Sequence, residues 1–328
     1  MNILITGIHG FVGSNLTKSL SKEHSIYGLD IVYPSKEGIT TTFSWKELDT
    51  FLQPYTSNQL EITKILQRID VIIHLTGKAH DIKNKAKTQE YFDINTGLTK
   101  KVFDFFLQSN AKKFLFFSSV KAAADFVVGN VLTEEVIPCP KGPYGGSKIA
   151  AENYILSQKG KWENHKQVYI LRPCMIHGPG NKGNLNLLYN LVKKGLPWPL
   201  GDFENKRSFT SIDNLCYVID RLILKDIPSG IYNMADDEAL STNELITIIC
   251  ETMGKKAHIW KINKKFMTEC AKLGSFIHFP LNSERLHKLT ENYIVSNAKL
   301  KKALDIKYMP LKAREGIKKT IKDLSTNQ

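Results

Sequence analysis

The chain opens with a stretch that decides its fold, Ile3-Leu4-Ile5-Thr6-Gly7-Ile8-His9-Gly10-Phe11-Val12-Gly13. The apolar run at its start predicts a buried strand, and the amphipathic residues from 14 to 21 predict the helix that follows. Glycines between the two allow a tight turn and let the backbone approach a diphosphate closely. The helix N-terminus then offers that anion free N–H groups and a partial positive charge. We therefore predict a dinucleotide-binding turn.

A second strand is predicted at residues 26–30, and it ends on Asp30. An acid at this position accepts hydrogen bonds from an adenosine ribose 2′-OH and repels a 2′-phosphate, so we expect NAD rather than NADP. The alternative is a helix-initiating turn beside a surface aspartate. The residues of this region expected to bind the cofactor are Gly7, Gly10, Phe11, Val12, Gly13 and Asp30.

Further strands alternate with amphipathic helices in the first half of the chain. Strands are predicted at 71–75, 114–118 and 168–172, with helices at 93–109 and 147–158. This alternation favours a parallel sheet with helices on both faces, an α/β fold of the doubly wound, Rossmann type. The regular alternation of strands and helices ends after Arg172, where Pro and Gly become frequent, although a short strand is predicted at 230–234.

We therefore expect two lobes, which the length of 328 residues also favours. The NAD-binding lobe is predicted at 1–172, with a returning segment at about 209–235. The smaller, mostly helical C-terminal substrate lobe is predicted at 173–208 and 236–328.

Composition excludes several classes of protein. Hydrophobic content of 42% and charged content of 23% are ordinary for a folded chain, which excludes extended disorder and fibrous structure. We find no apolar run long enough for a membrane span and expect no signal peptide at the N-terminus. The five scattered cysteines contain no Cys-x-x-Cys pair, so we expect a cytoplasmic protein with reduced thiols and no bound metal.

The net charge of +13 is unevenly distributed. From Glu251 onward, 15 Lys and 2 Arg stand against 7 acidic residues, which is +10 of the +13. Such a surface can attract nucleic acid, anionic lipid or a phosphorylated small molecule. Because the lysines follow helical spacings without interleaved aromatic residues, we interpret them as a solvated helix face and expect no nucleic-acid partner.

Tyr144 and Lys148 lie four residues apart at the start of a predicted helix. This spacing places both side chains on one face, about 5–6 Å apart at Cβ. A nearby ammonium stabilises a phenolate and lowers the pKa of a tyrosine, which can then exchange a proton with a substrate hydroxyl or carbonyl group.

Together these motifs resemble the extended short-chain dehydrogenase/reductases, the group that holds the nucleotide-sugar epimerases, dehydratases and reductases. The resemblance rests on Thr6-Gly7-x-x-Gly10-x-x-Gly13, Asp30, Ser118-Ser119, Tyr144-x-x-x-Lys148, Arg172-Pro173 and Arg207-Ser208-Phe209. The chain departs from the family pattern at His177, where a tyrosine is usual, and at Ser208, where an aspartate is usual.

The resemblance implies roles for individual residues. Tyr144 would be the acid and base, Lys148 would hold the nicotinamide ribose, and Ser119 would hydrogen-bond the reacting oxygen. Leu75, Thr76, Gly77 and Asn95 would line the cofactor, whereas Ser118, Asn184 and Arg207 would contact a UDP-sugar, with Arg207 on its diphosphate. His74 is expected to pack rather than to react. The resemblance also implies a homodimer formed through the long helices, which is common in the family.

The residues after Ser119 bear on the reaction. Dehydratases of the family carry Asp-Glu there, whereas this chain has Val120-Lys121, which disfavours dehydration and leaves redox chemistry at C4 of the sugar. The same segment resembles bacterial enzymes that act on UDP-N-acetylhexosamines in surface-polysaccharide pathways. We expect a NAD-dependent 4-epimerase of a UDP-hexose or UDP-N-acetylhexosamine that works through a 4-keto intermediate. An NAD(P)H-dependent 4-keto-reductase and a non-catalytic dinucleotide sensor remain alternatives.

Replacing Asp30 tests the choice of cofactor. A hydrogen bond to a charged acceptor contributes about 1.5–3 kcal/mol, so Asp30→Ala should weaken NAD binding by roughly ten- to a hundred-fold and narrow the preference over NADP. Calorimetric titration of both dinucleotides measures this. Equal affinity of the unaltered protein for NAD and NADP would remove Asp30 from its assigned role.

Overall fold

A computed structural model describes residues 1–34, 36–51, 60–79, 87–181, 185–276 and 282–326 of the chain. Its strands are β1 (Asn2–Thr6), β2 (Ser25–Leu29), β3 (Thr41–Phe43), β4 (Val71–His74), β5 (Lys113–Phe117), β6 (Gln167–Pro173), β7 (Met175–His177), β8 (Phe209–Ser211) and β9 (Gly230–Met234). In the first half of the chain the helices are α1 (Phe11–Leu20), α2 (Trp45–Phe51), α3 (Leu60–Gln67), α4 (Thr88–Tyr91), α5 (Leu98–Gln108), α6 (Val120–Ala123) and α7 (Pro143–Ser157). The helices that follow are α8 (Leu185–Lys193), α9 (Ile212–Leu224), α10 (Thr242–Thr252), α11 (Lys264–Phe276), α12 (Ser283–Thr290), α13 (Ala298–Leu304) and α14 (Ala313–Thr326).

Seven strands form one parallel sheet in the order β3-β2-β1-β4-β5-β6-β9. Every pair in it is parallel, and β1 lies between β2 and β4, with Ile3 opposite Ile26 on one side and Val71 on the other. All residues of β4 and β5 are buried, as the continuous apolar runs predict for a sheet covered on both faces. The predicted α/β fold of the doubly wound, Rossmann type is confirmed.

Alternate residues of each strand supply two separate cores. Ile3 and Ile5 face a cluster that includes α1 and α9, whereas Leu4 faces a cluster that includes α5 and α7. A third cluster joins α8, α10, α11, α12 and α14 in the C-terminal half of the chain. Within that half, α13 packs against β9 and contributes Leu300 and Leu304 to the sheet's core. Among the described residues, none of the helices is both long and apolar enough to cross a membrane.

Three features of the structure have no counterpart in the sequence analysis. The short strand β3 extends the sheet, and β7 pairs with β8 in a separate two-stranded parallel sheet. The helix predicted at 93–109 contains a π-helical segment, Phe92–Gly97, between α4 and α5. A short strand contains too few residues to show a clear hydrophobic periodicity. A π-helical turn has no signal in the sequence, because it changes the spacing of the backbone hydrogen bonds and not the residue types.

Two buried lysines hold helix C-termini against the sheet. Lys113 Nζ donates to the carbonyl oxygens of Leu222, Ile223 and Lys225 at 2.8–3.2 Å at the end of α9. Lys166 Nζ does the same at the end of α5, where it donates to Phe106, Ser109 and Ala111 at 2.7–2.9 Å. Helix C-termini carry unpaired carbonyls and a partial negative charge, so an ammonium satisfies both.

A fully buried ion pair joins α7 to the sheet. Arg172 of β6 donates from Nε to Glu152 Oε1 at 2.9 Å and from Nη2 to Glu152 Oε2 at 2.6 Å. Both side chains are almost completely shielded from solvent, with exposed fractions of 1% and 0%. The hydroxyl of Ser118, just after β5, also donates to Glu152 Oε1. The arginine fork and the serine satisfy both oxygens of the carboxylate, which is the condition for burying it without a large penalty.

Removing one partner of this pair should destabilise the fold strongly. Arg172→Met leaves Glu152 charged and unpaired in the core, and such changes cost about 3–5 kcal/mol of unfolding free energy. The double variant Arg172→Met with Glu152→Leu should cost clearly less, because no buried charge remains. Urea denaturation of wild type, both single variants and the double variant measures the difference. Additive losses would show that the two side chains are not coupled.

Candidate active site

The glycine turn lies between the carboxyl end of β1 and the N-terminus of α1. Gly7 has a φ of +67°, which side chains other than glycine rarely adopt. A Cβ on Gly13 would lie 2.5 Å from the carbonyl oxygen of Gly7, so α1 can approach the strand only because residue 13 is glycine. No side chain within the described part of the chain caps α1 at Gly10, and the first N–H groups of the helix remain available to an anion.

Asp30 stands beside this turn. Its Oδ2 accepts the backbone N–H of His9 at 3.0 Å, and its Oδ1 accepts that of Ile31 at 2.7 Å. The carboxylate therefore also fixes the glycine turn, and Asp30→Asn, which keeps an acceptor oxygen, is the matched control for the Asp30→Ala experiment.

His74 is buried beneath the loop that carries Leu75, Thr76 and Gly77. Thr99 donates its hydroxyl to the Asn95 carbonyl at 2.6 Å and can only accept from His74 Nε2, at 2.9 Å. His74 Nδ1 must then accept from the Thr6 hydroxyl, at 2.7 Å. Burial, with the charge of Lys148, lowers the pKa of His74 to about 3. His74 is thus a neutral link between strands and helix, which agrees with a packing role.

The π-helical segment directs Asn95 into the same loop. Asn95 Oδ1 accepts the backbone N–H of Lys78 at 2.7 Å, and its Nδ2 donates to Ser147 at 2.9 Å, one residue before Lys148. π-helical turns are frequent at functional sites because they shift the side chains that follow. Here the shift joins the loop after β4 to the helix that carries Tyr144 and Lys148.

Lys148 is buried at the centre of this arrangement. Its Nζ donates to the Phe117 carbonyl at 2.8 Å, and it lies 2.9 Å from the position of a Cβ built on Gly77. Burial lowers the pKa of Lys148 to about 8, and the charge of Glu152 opposes that shift. The side chain therefore carries its positive charge at neutral pH.

Tyr144 and Ser119 also meet near the start of α7. Ser119 begins α6, where its Oγ accepts the N–H of Lys121 at 3.2 Å, and it is also hydrogen bonded to the Tyr144 side chain. Burial raises the pKa of Tyr144, the hydrogen bond with Ser119 lowers it, and the neighbouring Tyr91 raises it. The expected lowering of this pKa by Lys148 is therefore wrong: the net shift is upward, burial is its largest cause, and Lys148 is not among the groups that shift it.

The remaining expected site residues are engaged by other partners or fall outside the described part of the chain. The Ser118 hydroxyl is bound to Glu152 in the core. Arg207 lies where the C-terminal elements meet: it donates to the Lys288 carbonyl, and its Nη2 is 3.4 Å from Glu291 Oε1. Asn184 falls outside the described residues.

Lys121 and His177 have structural surroundings that the sequence did not predict. Lys121 Nζ lies 4.5 Å from the centre of the Tyr293 ring. Burial lowers its pKa, Glu291 raises it and Arg207 lowers it, so these charges share one region. The sequence feature that could have identified Lys121 as a site residue is its position two residues after Ser119. His177 is fully buried, with Nδ1 3.0 Å from the Thr320 hydroxyl and Nε2 3.6 Å from Asp236, and it anchors α14.

The described residues fit a bound dinucleotide. The uncapped N-terminus of α1 and the close glycine backbone suit a diphosphate, and Asp30 stands at the strand end beside them. The hydroxyl oxygen of Thr76, 3.2 Å from the Cβ position of Gly7, is buried and has no hydrogen-bond partner among the described residues. A buried polar atom of this kind is costly unless a ligand satisfies it.

Comparison with known proteins agrees with this geometry. The profile of the NAD-dependent epimerase/dehydratase family matches residues 3–235. UDP-glucose 4-epimerase of Vibrio cholerae is 30% identical over 262 residues, which cover 77% of this chain and 76% of that protein. The N-acetyl-α-D-glucosaminyl-diphospho-ditrans,octacis-undecaprenol 4-epimerase of Escherichia coli O157:H7 is 26% identical over 266 residues, 78% of this chain and 73% of that protein.

Among solved structures, UDP-glucuronic acid 4-epimerase from Bacillus cereus in complex with NAD superposes with a TM-score of 0.73 at 20% identity, covering 99% of both chains. The fold and the profile match leave one assignment: this chain belongs to the NAD-dependent epimerase/dehydratase family. It is an enzyme family whose cofactor is NAD.

Adding a methyl group at Gly77 should disturb the cofactor site without unfolding the chain. The new Cβ would lie 2.9 Å from Lys148 Nζ and 3.0 Å from Asn95 Oδ1, so both groups must move. Gly77→Ala should weaken NAD binding by about ten- to a hundred-fold, the effect of losing one charge-assisted hydrogen bond. Gly146→Ala is the control, because its Cβ makes an ordinary 3.5 Å contact with Phe92. Unchanged NAD affinity in Gly77→Ala, measured by calorimetry, would contradict this placement of the cofactor.

Proposed function

We propose that this protein is a NAD-dependent 4-epimerase of a UDP-hexose or UDP-N-acetylhexosamine and acts through a transient 4-keto sugar. The observation that carries the proposal is the hydrogen-bonded pair of Ser119 and Tyr144, with the Lys148 ammonium on the same helix as Tyr144. The two residues that follow Ser119 are Val120 and Lys121, so the acidic pair of a dehydratase is missing at that position. Elimination of water needs an additional acid and base, which that segment does not supply. Both curated relatives named above are 4-epimerases by name.

Tyr144 moves the proton in this proposal. It takes the proton of the C4 hydroxyl as the C4 hydrogen leaves as hydride, and it returns a proton to the oxygen when hydride comes back to the opposite face. When bound, NAD would supply the hydride acceptor and donor that this cycle requires. Ser119 donates to the same sugar oxygen, and Lys148 orients the nicotinamide ribose.

The raised pKa of Tyr144 makes the two directions unequal. At neutral pH the free phenol can protonate a ketone oxygen directly, whereas removing a hydroxyl proton requires the phenolate. Only the hydrogen bond with Ser119 counteracts burial among the influences on Tyr144 given above. We therefore expect oxidation of the sugar to be the more pH-sensitive half of the reaction.

A diphosphate is the group on the substrate that the cations favour. Arg207 and Lys121 bring two positive charges to the region where the C-terminal elements meet the sheet, with Glu291 between them. An arginine fork matches phosphate oxygens well. We propose that Arg207 binds the diphosphate after exchanging its contact with Glu291, and that Lys121 lies beside the sugar.

A second candidate substrate shares this diphosphate. The Escherichia coli relative is named for an N-acetylglucosaminyl diphosphate carried by undecaprenol instead of a nucleoside. Its 26% identity over 78% of this chain supports an N-acetylhexosamine as the sugar. The 4-keto-reductase alternative would use the same three residues and consume NADH.

The variant Tyr144→Phe tests the chemistry, since it removes one hydroxyl and keeps the ring. It should bind NAD like the wild type and lose about 10²–10⁴-fold in turnover, the usual contribution of a general acid or base. Because burial raises the pKa of Tyr144, wild-type epimerisation should also rise steadily with pH through neutrality and above it, as the phenolate fraction of Tyr144 increases. The assay incubates UDP-N-acetylglucosamine or UDP-glucose with the enzyme and separates the C4 epimers.

Tyr154→Phe is the matched control, because Tyr154 lies on the same helix and its hydroxyl hydrogen bonds to Asp104 of α5 instead of Ser119. Formation of the epimer without added NADH supports the epimerase. Consumption of NADH with a 4-keto sugar, and no epimer, would support the reductase. Wild-type turnover in Tyr144→Phe would refute the assignment of Tyr144.

A further inference from the structure

A set of exposed apolar side chains lies among lysines on the C-terminal half of the protein. Leu196, Trp260, Phe266 and Leu273 expose 55%, 55%, 61% and 68% of their surfaces. The exposed lysines beside them in sequence are Lys256, Lys261, Lys264, Lys265 and Lys272. We call these nine residues the basic apolar surface.

Backbone contacts bring these segments together. Trp198 donates its N–H to His258 O and accepts that of Trp260, both at 2.8 Å, so the chain around Leu196 lies beside the chain around Trp260. Lys255 Nζ donates to the Lys193 carbonyl at 2.8 Å and closes the other end of the contact. The segment then continues directly into α11 at Lys264.

Helix α11 presents one face of this surface. Lys265 and Phe266 recur seven residues later as Lys272 and Leu273, which places each pair two turns apart on the same side of the helix. The opposite side packs inward through the buried Met267 and Ala271. The helix is therefore amphipathic, but its outer face alternates cations with large apolar groups instead of small polar residues.

The charge on this surface is predominantly positive, with Asp202 accepting the backbone N–H of Lys264 at 3.3 Å at the start of α11. Residues 254–276 contain six lysines and one acidic residue, Glu269, which is paired with Lys272 at 2.7 Å. A second copy of the chain on the same surface would set these lysines against their own counterparts. Nucleic acid would satisfy the lysines but would leave Leu196 and Leu273 without an apolar partner.

An anionic bilayer satisfies both kinds of group. Lipid phosphates attract lysines near the surface, while apolar and aromatic side chains bury themselves at the boundary between headgroups and acyl chains. A tryptophan is favoured at that depth. From the combined exposure, spacing and charge, we propose that the basic apolar surface docks this protein onto an anionic membrane as a peripheral protein. This proposal does not depend on the identity of the sugar substrate.

Vesicle binding of the full chain tests the proposal. Wild type should sediment with vesicles of phosphatidylglycerol and phosphatidylethanolamine at low salt, bind phosphatidylcholine vesicles weakly, and dissociate as salt screens the lysines. Emission of Trp260 should shift to the blue on binding, and the shift should disappear in Trp260→Phe. Lys264→Glu with Lys265→Glu should lower the partition coefficient at least about tenfold.

Two further double variants separate the contributions. Phe266→Ser with Leu273→Ser should weaken binding to the same vesicles while the lysines remain. The control is Lys302→Glu with Lys307→Glu, which changes the net charge by the same amount as the α11 lysine variant. Lys302 lies in α13, which packs on the sheet, and Lys307 follows that helix, so this variant should bind vesicles like wild type. Melting temperatures confirm that each variant is folded.

Some outcomes would overturn the proposal. Wild type that stays in the supernatant with phosphatidylglycerol vesicles at low salt would do so, as would equal losses in the α11 and the control lysine variants. A wild-type dimer that the Phe266→Ser and Leu273→Ser changes convert to a monomer would assign the surface to a second copy of the chain instead.

Discussion

One buried carboxylate connects the parts of the protein that carry its chemistry. Glu152 receives the Arg172 guanidinium from β6 and the Ser118 hydroxyl from the end of β5, and it lies one helical turn after Lys148 on α7. Because an unpaired charge in this core would be very costly, these three elements must keep their mutual positions. Ser119 follows Ser118 directly, so the same contact that stabilises the fold also fixes the distance between Ser119 and the helix of Tyr144.

The cofactor side of the site is fixed by different means. Gly13 lets α1 approach β1, and a neutral His74 links β1, β4 and α5 through two threonine hydroxyls. Asn95 then joins the loop after β4 to Ser147. The hydrogen bonds of His74 and the one from Asn95 to Ser147 are buried, and the one between Asn95 and Lys78 is partly buried; a buried polar network is rigid when its members are paired. The loop that carries Gly77 is therefore held against Lys148 before any ligand arrives.

The C-terminal half combines two surfaces with different purposes. Arg207, Glu291 and Lys121 place compensating charges where this half meets the sheet. The basic apolar surface faces outward, and its lysines have few acidic neighbours along the chain. A 4-epimerase that handled a polyprenyl-linked sugar would work at a membrane, and one that handled a nucleotide sugar would not need to. The vesicle and epimer assays answer these two questions independently.

The sequence by itself determined the parallel sheet, the glycine turn, the acid at Asp30 and the pair of Tyr144 and Lys148, because each depends on residue types at short, fixed spacings. Tertiary structure alone decided the rest. The contact that aims Asn95, the partner of Ser118 and the surroundings of Lys121 depend on residues 17 to 172 positions apart. The pKa of Tyr144 shows the limit most clearly: its spacing to Lys148 predicted a lowered value, but burial, which no local pattern encodes, raises it.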